Sequence, residues 1–423
     1  MIPIVRNECK NELKVLLVGN YPNDGQESMR RFADLLELHL PSYGIVTEQL
    51  CPAPIVGRLL RIDTGLGKWL GYIDKFLLFP RRLSNRMRRL DSNALVHICD
   101  HSNAIYVRAL AGIPHLVTCH DLLAVRSALG EFPGCRVRAS GRAYQRWILR
   151  GLNAVQRVAC ISTATRRDLL RLSVLEPRQL SLIYNGLNHS YAPLSKEESS
   201  ARLGDLPSTM PRSGFILHVG GNLWYKNRLG VIQIYARLRE KMPQPPQLVM
   251  VGKRFTPEMR RAISTNRLEK YVVELNRVSN EELQALYSTA ELLLFPSLEE
   301  GFGWPIIEAQ ACGCPVVIAD REPMSEIGGN AAAYFELQRS KPGPLSIHSA
   351  DTAVTSLMEI LLESLDERDA RIQCGLRNAA RFSTVRMVEG YIALYREIMN
   401  TGTERTRAPV PSSSHGKSIS FAS

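Results

Sequence analysis

No run of 18 uncharged apolar residues occurs anywhere in the 423-residue chain, so no segment is expected to span a membrane. The nine cysteines are odd in number, scattered, and form no C-x-x-C pair. That argues against a disulfide framework or a zinc site and fits buried free thiols in a reducing cytoplasm. The start, Met1 to Glu8, lacks the basic, apolar and small-residue order of a signal peptide. No repeat recurs at 20–50 residues. The first strand-to-helix turn, Gly19 to Met29, lacks the full G-x-G-x-x-G fingerprint, and no acidic residue follows at the usual distance. A dehydrogenase is therefore disfavoured. Aromatic stacking motifs and recognition-helix signatures are missing too, which argues against specific nucleic-acid binding.

What the chain has in excess is positive charge, +12 in all. An excess of that size favours an anionic partner such as a phosphorylated substrate or an acidic lipid surface. Much of the recognisable excess lies in the first half, in residues 59–89 and 136–150. The first of these mixes cations with leucines and aromatics, a pattern suited to an anionic membrane interface or to a core helix with a basic face.

Short apolar runs alternate with helical patterns almost throughout. Strands are expected at 14–20, 95–99, 115–119 and 157–162, and again at 215–220, 247–252, 271–275, 291–295 and 315–319. The runs are continuous rather than alternating, which implies parallel strands covered on both faces. The fold class is α/β, with two doubly wound, Rossmann-like sheets and a break in the turn-rich stretch 185–213. We assign residues 1–200 to an N-terminal domain and 201–400 to a C-terminal one, whose last helix packs back on the first. A tail at 401–423, nearly free of apolar residues, is expected to be disordered. Ligands of such sheets sit at the carboxyl ends of the strands, so the cleft between the two domains is the expected active site.

The richest stretch is Pro296 to Val317. A strand delivers the chain into a glycine-rich turn, Gly301-Phe302-Gly303, bracketed by Glu300 and Glu308. Pro305 suits the first helical position and Gly313 the C-terminal cap, giving a helix over roughly 305–312. Bare amides at the turn and a helix N-terminus suit an anionic ligand with hydroxyls to be read. A second strand-to-helix turn runs from Val219 through Gly221 and Asn222 to Lys226 and Asn227. There a lysine at the helix start could neutralise a departing diphosphate. Gly25 and Ser28 mark a third such turn. His120 ends the strand 115–119, where a neutral imidazole could bond a sugar hydroxyl or steady a developing charge. His97, Asp100 and His101 end the strand before it and are weaker candidates.

In this order the motifs resemble those of retaining GT-B glycosyltransferases of family 4, over roughly residues 14–400. The E-x7-E pair Glu300 and Glu308 carries the likeness most strongly. It is supported by Val219 to Asn227, Val278 to Tyr287, Cys160 to Leu169 and Ile183 to Leu187. The resemblance implies a hexosyltransferase using a UDP- or GDP-sugar, with the donor in the C-terminal domain and the acceptor in the N-terminal one. By it Glu308 holds the ribose, and Glu300 with the amides of Gly301, Phe302 and Gly303 contacts the donor sugar. Lys226 grips the diphosphate, His120 lies near the sugar, and Gly25 falls in a loop closing over the phosphates. The base lies near Arg277 and Val278.

The chain departs from that pattern in two places. Gly221 and Asn222 stand where the family often has an arginine, leaving Lys253 or Arg254 to help, and Asn276 replaces a common glycine. No D-x-D motif is present, so no metal and no further cofactor is implied. The expected acceptor is a glycan or lipid-linked glycan for cell-surface polysaccharide or lipopolysaccharide. The expected location is the cytoplasm, peripheral at the inner face of the plasma membrane. A catalytically weak sugar-nucleotide-binding or regulatory protein of the same fold is the alternative.

Overall fold

A computed structural model describes residues 12–59, 65–204, 206–207, 210–338 and 345–405. The first half forms one sheet from β1 (Lys14–Val18), β2 (Val46–Leu50), β3 (Ala94–Ile98), β4 (His115–Cys119), β5 (Arg157–Cys160) and β6 (Leu180–Leu182). Its order is β2-β1-β3-β4-β5-β6 and every pairing is parallel. The crossovers carry α1 (Glu27–His39), α2 (Gly65–Ile73), α3 (Phe79–Met87), α4 (Leu123–Ala128), α5 (Ala139–Leu152) and α6 (Thr163–Leu172).

The second half repeats the scheme. Its strands are β7 (Ile216–Val219), β8 (Leu248–Val251), β9 (Val272–Leu275), β10 (Leu292–Phe295), β11 (Val316–Ala319) and β12 (Ala332–Phe335). They lie in the order β12-β11-β10-β7-β8-β9, again all parallel. The helices are α7 (Lys196–Arg202), α8 (Arg228–Lys241), α9 (Pro257–Thr265), α10 (Asn280–Thr289), α11 (Trp304–Ala311) and α12 (Met324–Gly328). They continue with α13 (Ile347–Leu361), α14 (Leu365–Ala379) and α15 (Thr384–Arg405).

The nine expected strands all form. The central ones β3, β4, β8, β10 and β11 are buried at every residue, as continuous apolar runs require when helices cover both faces. Three strands went unread, β2, β6 and β12, and each is a sheet edge. β2 reads Val46-Thr-Glu-Gln-Leu50 and stays half open to solvent. An edge strand covered on fewer sides keeps polar residues and loses the apolar signal.

Helix α15 returns to the first sheet. Tyr391, Tyr395 and Ile398 are buried among Val15, Leu17, Phe32 and Leu95. A buried polar chain secures it: His97 bonds Tyr395 Oη and Thr118 Oγ1, both at 2.8 Å, and Thr118 bonds Tyr391 Oη at 2.9 Å. Helix α15 runs through Arg405, so its last residues overlap the stretch from Thr401 that was expected to be disordered. The rest of that tail, residues 60–64 of the basic segment and the first eleven residues lie outside the described ones.

In each sheet the direction of strand addition reverses at one place, between β1 and β3 and between β7 and β10. Ligands of open α/β sheets bind outside such switch points. Asn20 and Asp100 follow the first pair; Lys226 and Glu300 follow the second.

Candidate active site

The β7–α8 turn and the β10–α11 turn meet at the C-terminal switch point. Lys226 ends a short 3-10 turn, Trp224–Lys226, and its Nζ donates to both oxygens of Glu300, at 2.7 and 2.8 Å. Asn227 follows in the left-handed region at φ 51°, buried, and its amide donates to the carbonyl of Pro296 at 2.9 Å. That bond joins the two turns. The side chain is thereby committed to protein, and it makes no capping bond to α8. Gly221 is open, with nothing near the position a Cβ would take. Asn222 is turned away toward the next loop, where it donates to the Arg254 carbonyl at 2.8 Å and accepts from Arg228.

The E-x7-E turn is shaped by the other domain. A Cβ on Gly301 would lie 2.1 Å from the carbonyl oxygen of His120, so only glycine allows this approach. Ser162 Oγ also donates to the Gly301 carbonyl, at 2.8 Å. Phe302 is buried with its ring 5.7 Å from that of Phe382, which leaves only its backbone for a ligand. Gly303, at φ 107°, starts α11. Pro305 stands in the first turn of that helix, as its fixed φ favours.

One α11 turn further on, Glu308 is buried and accepts from Tyr287 Oη at 3.0 Å. Burial pushes its carboxyl up to about 7, while Tyr287, Arg31, Asn188 and Lys226 pull the other way. Tyr287 lies on α10, whose first turn Ser279 and Glu282 close with reciprocal bonds of 3.1 and 2.7 Å. Arg31 comes from α1, in the other half of the chain, so Glu308 faces a cation across the cleft. Arg31, Tyr287 and Asn188 were not read as site residues. Only Tyr287 carried a signal, since it closes a stretch already singled out.

His120 is 2% exposed, and its Nε2 lies 2.9 Å from the Cys99 carbonyl. A carbonyl only accepts, so Nε2 carries the proton and Nδ1 presents a lone pair. That Nδ1 is buried without a partner. Burial also holds the ring neutral, with its pKa below the usual histidine value. The ring is fixed edge-on by Phe32 at 4.9 Å. The lone pair on Nδ1 is therefore an oriented acceptor with no protein donor. His97 behaves differently: burial drives its pKa to about 3 and both nitrogens are spent on the α15 network. Gly25 caps the turn after β1 at φ 66° with free space around it. Arg277 is exposed after β9 at φ 60°, and Val278 packs on the C-terminal core. Among the described residues no group of three His, Cys, Asp or Glu side chains is placed to hold a metal ion.

Residues 47–191 match the family described as Glycosyltransferase Family 4, and residues 210–339 match Glycosyl transferases group 1. The chain belongs to these glycosyltransferases. It is 25% identical over 317 residues to the O-antigen chain mannosyltransferase B of Escherichia coli, spanning 73% of this chain and 75% of that protein. The sucrose-phosphate synthase of Thermosynechococcus elongatus superposes with a TM-score of 0.67 at 18% identity, covering 92% of this chain and all of that one. Anabaena HepE, solved with UDP and glucose, gives 0.65 at 16% identity, with 90% and 99% covered. These likenesses establish the GT-B fold. In this glycosyltransferase the matched C-terminal region contains Lys226, Glu300 and Glu308, and the matched N-terminal region contains His120.

Proposed function

We propose that this glycosyltransferase moves a hexose from a UDP- or GDP-sugar to a glycan or lipid-linked glycan, with retention of anomeric configuration. The observation that carries it is the meeting of Lys226 and Glu300 at the C-terminal switch point, with Glu308 on the following helix. Lys226 has three N–H donors and Glu300 takes two bonds, so one donor remains for a diphosphate oxygen. Glu308 is the ribose acceptor, Glu300 and the amides of 301–303 orient the donor sugar, and His120 Nδ1 receives one of its hydroxyls. Arg31 adds a cation from the facing domain.

Both acids lie on one loop and helix, on one side of the cleft, rather than flanking a glycosidic bond as a nucleophile and acid would. We therefore favour front-face displacement. The acceptor hydroxyl oxygen forms a bond to the anomeric carbon as the carbon–phosphate oxygen bond breaks. The hydroxyl proton passes to the departing diphosphate. Lys226 and the N-terminus of α11 stabilise the charge that develops there.

The mannosyltransferase relative supports a role in O-antigen or related surface polysaccharide assembly, and the location we propose for it is the cytoplasm. Among the described residues no helix is long and apolar enough to cross a membrane. We propose peripheral attachment instead. Trp69, Tyr72 and Leu77 are exposed beside exposed Arg81, Arg82, Arg88 and Arg89. Aromatic and basic groups together suit an anionic interface. Flotation with anionic but not neutral vesicles is the expected result; equal binding to both refutes attachment by charge.

Thermal-shift screening with UDP, GDP, ADP and their sugars tests the central reading, since a ligand bound only to the folded state raises the melting temperature. A shift with one nucleotide and its sugar is expected, and a purified, folded protein that responds to none refutes the proposal.

A further inference from the structure

A cavity of about 440 Å³ opens between the two halves of the chain beside the transfer site. Glu300 forms part of its wall, whereas Lys226, His120 and Glu308 do not. The N-terminal half supplies Asp121 after β4, Arg126 on α4, and the first turns of α6. The C-terminal half supplies Glu299, Glu300 and the turn 320–322 after β11. The cavity thus touches the acid expected to orient the donor sugar without being lined by the diphosphate lysine.

Its charge is one-sided. Six carboxylates line it against three guanidinium groups, and those three are committed to protein acceptors. Arg126 bonds Glu131 at 2.9 Å and Glu299 at 3.0 Å, with Asp168 at 3.4 Å. Arg167 pairs with Glu322 at 2.6 Å, and Arg321 donates to the Leu298 carbonyl at 3.1 Å. Asp121 spends one oxygen on the Leu123 amide at 2.9 Å. Its other carboxylate oxygen and the exposed Asp320 remain as acceptors.

An anionic group entering here would meet six carboxylates against three guanidinium groups that already face acids or a carbonyl, a net negative wall that opposes it. Sugar hydroxyls, which donate, match it. We infer that this cavity holds the reacting sugar of the acceptor, and that this sugar is an uncharged polyol bearing neither phosphate nor carboxylate. Asp121 and Asp320 read its hydroxyls. Any phosphate of a lipid-linked acceptor lies outside the cavity. The inference rests on the transferase reading above and narrows its acceptor class.

The test uses the full chain saturated with whichever nucleotide shifts its melting temperature most. Saturation-transfer NMR is recorded with the methyl glycosides of glucose and mannose, and with glucose 6-phosphate and mannose 6-phosphate. The wild type should bind a methyl hexoside and neither phosphate. Asp121→Asn with Asp320→Asn should weaken hexoside binding by about tenfold, the scale of lost bonds to charged acceptors. Asp320→Lys should admit the hexose phosphates. Both variants should keep the wild-type nucleotide shift, which shows that they fold. Equal binding of phosphates by the wild type, no hexoside binding, or variants that change nothing would each overturn the inference while the nucleotide shift stands. A wild type that no nucleotide shifts overturns the transferase reading and this inference with it.

Discussion

The two switch points make a controlled comparison within one chain. Each is bridged by a side-chain bond: Asn20 to Asp100 at 2.5 Å in the first sheet, Lys226 to Glu300 in the second. The first is sealed. Asn20 and Asp100 are both at most 4% exposed, and Asn103 and Ser102 take up their remaining bonds at 2.7 to 3.0 Å. Burial pushes the Asp100 carboxyl up, but His101 and Asn20 outweigh it and hold it well below the usual carboxylate range. The second is open, with the Lys226 side chain 19% exposed and a donor unspent. A switch point marks where a ligand can sit; spare bonding capacity is what a ligand needs there. This contrast accords with the proposal that the N-terminal edge is scaffold and acceptor wall and the C-terminal edge carries the donor chemistry.

The largest expected effect tests the open side. Lys226→Ala should cut transfer by roughly 10²-fold or more, as loss of one transition-state charge partner does. The purified variant should stay folded but melt lower, because Glu300, its side chain 7% exposed, loses its cation. Near-normal turnover would remove Lys226 from the chemistry. Next comes the point where the two edges touch. Gly301→Ala puts a methyl group against the His120 carbonyl, so the backbone of one turn or the other must shift. Reacting groups displaced by about 1 Å lose roughly 10²-fold in rate. An unchanged rate would mean that turnover does not use the contact.

The same contrast explains what could be read beforehand. The donor wall is made of local units, a strand, a turn and a helix start, each contiguous in sequence. Glu300, Gly303 and Lys226 were therefore visible with their spacing intact. The partners of Glu308 come from residues 31, 188 and 287, and nothing in local sequence brings them together. Gly301 looked like a ligand-facing glycine, yet its tightest constraint is the backbone of another domain. His97 and His120 look alike as strand-end or strand-interior histidines. Tyr395 on the returning α15 and Thr118 on β4 take both nitrogens of His97, while Nδ1 of His120 stays bare. The three unread strands were edges, where one-sided burial weakens the pattern.

A smaller effect separates Glu308 from its neighbours through pH. Its carboxyl lies near 7 in the fold against an ordinary 4.5, chiefly through burial. The folded state therefore favours the protonated form, and this group lowers stability progressively as pH rises from about 4.5 to about 7. Glu308→Gln should remove that slope from melting temperatures measured between pH 5 and 8. Ribose hydroxyls donate to the ionised form, so nucleotide affinity should rise with pH. Between pH 6 and pH 8 the ionised fraction climbs from about one tenth to about nine tenths, a gain of up to about tenfold. The Gln variant should lack that increment. If it keeps the wild-type pH profile, Glu308 does not hold the ribose.

The smallest effect asks whether the sealed edge is scaffold alone. Tyr395→Phe removes the hydroxyl at His97 Nδ1, leaving a buried ring nitrogen without a partner 2.8 Å away. An unsatisfied buried polar atom costs about 1–3 kcal/mol, or roughly 2–4 °C of melting temperature per kcal/mol in a large domain. His97 is neutral at any working pH, since burial holds its pKa to about 3, so the loss should be flat from pH 5 to 8. KM for the donor should not move, because Tyr395 is buried on α15 against the N-terminal sheet, outside the donor wall. A raised donor KM with an unchanged melting temperature would reverse the assignment. It would mean that the α15 network transmits to His120 through Phe32, whose ring lies edge-on to both histidines at 6.1 and 4.9 Å.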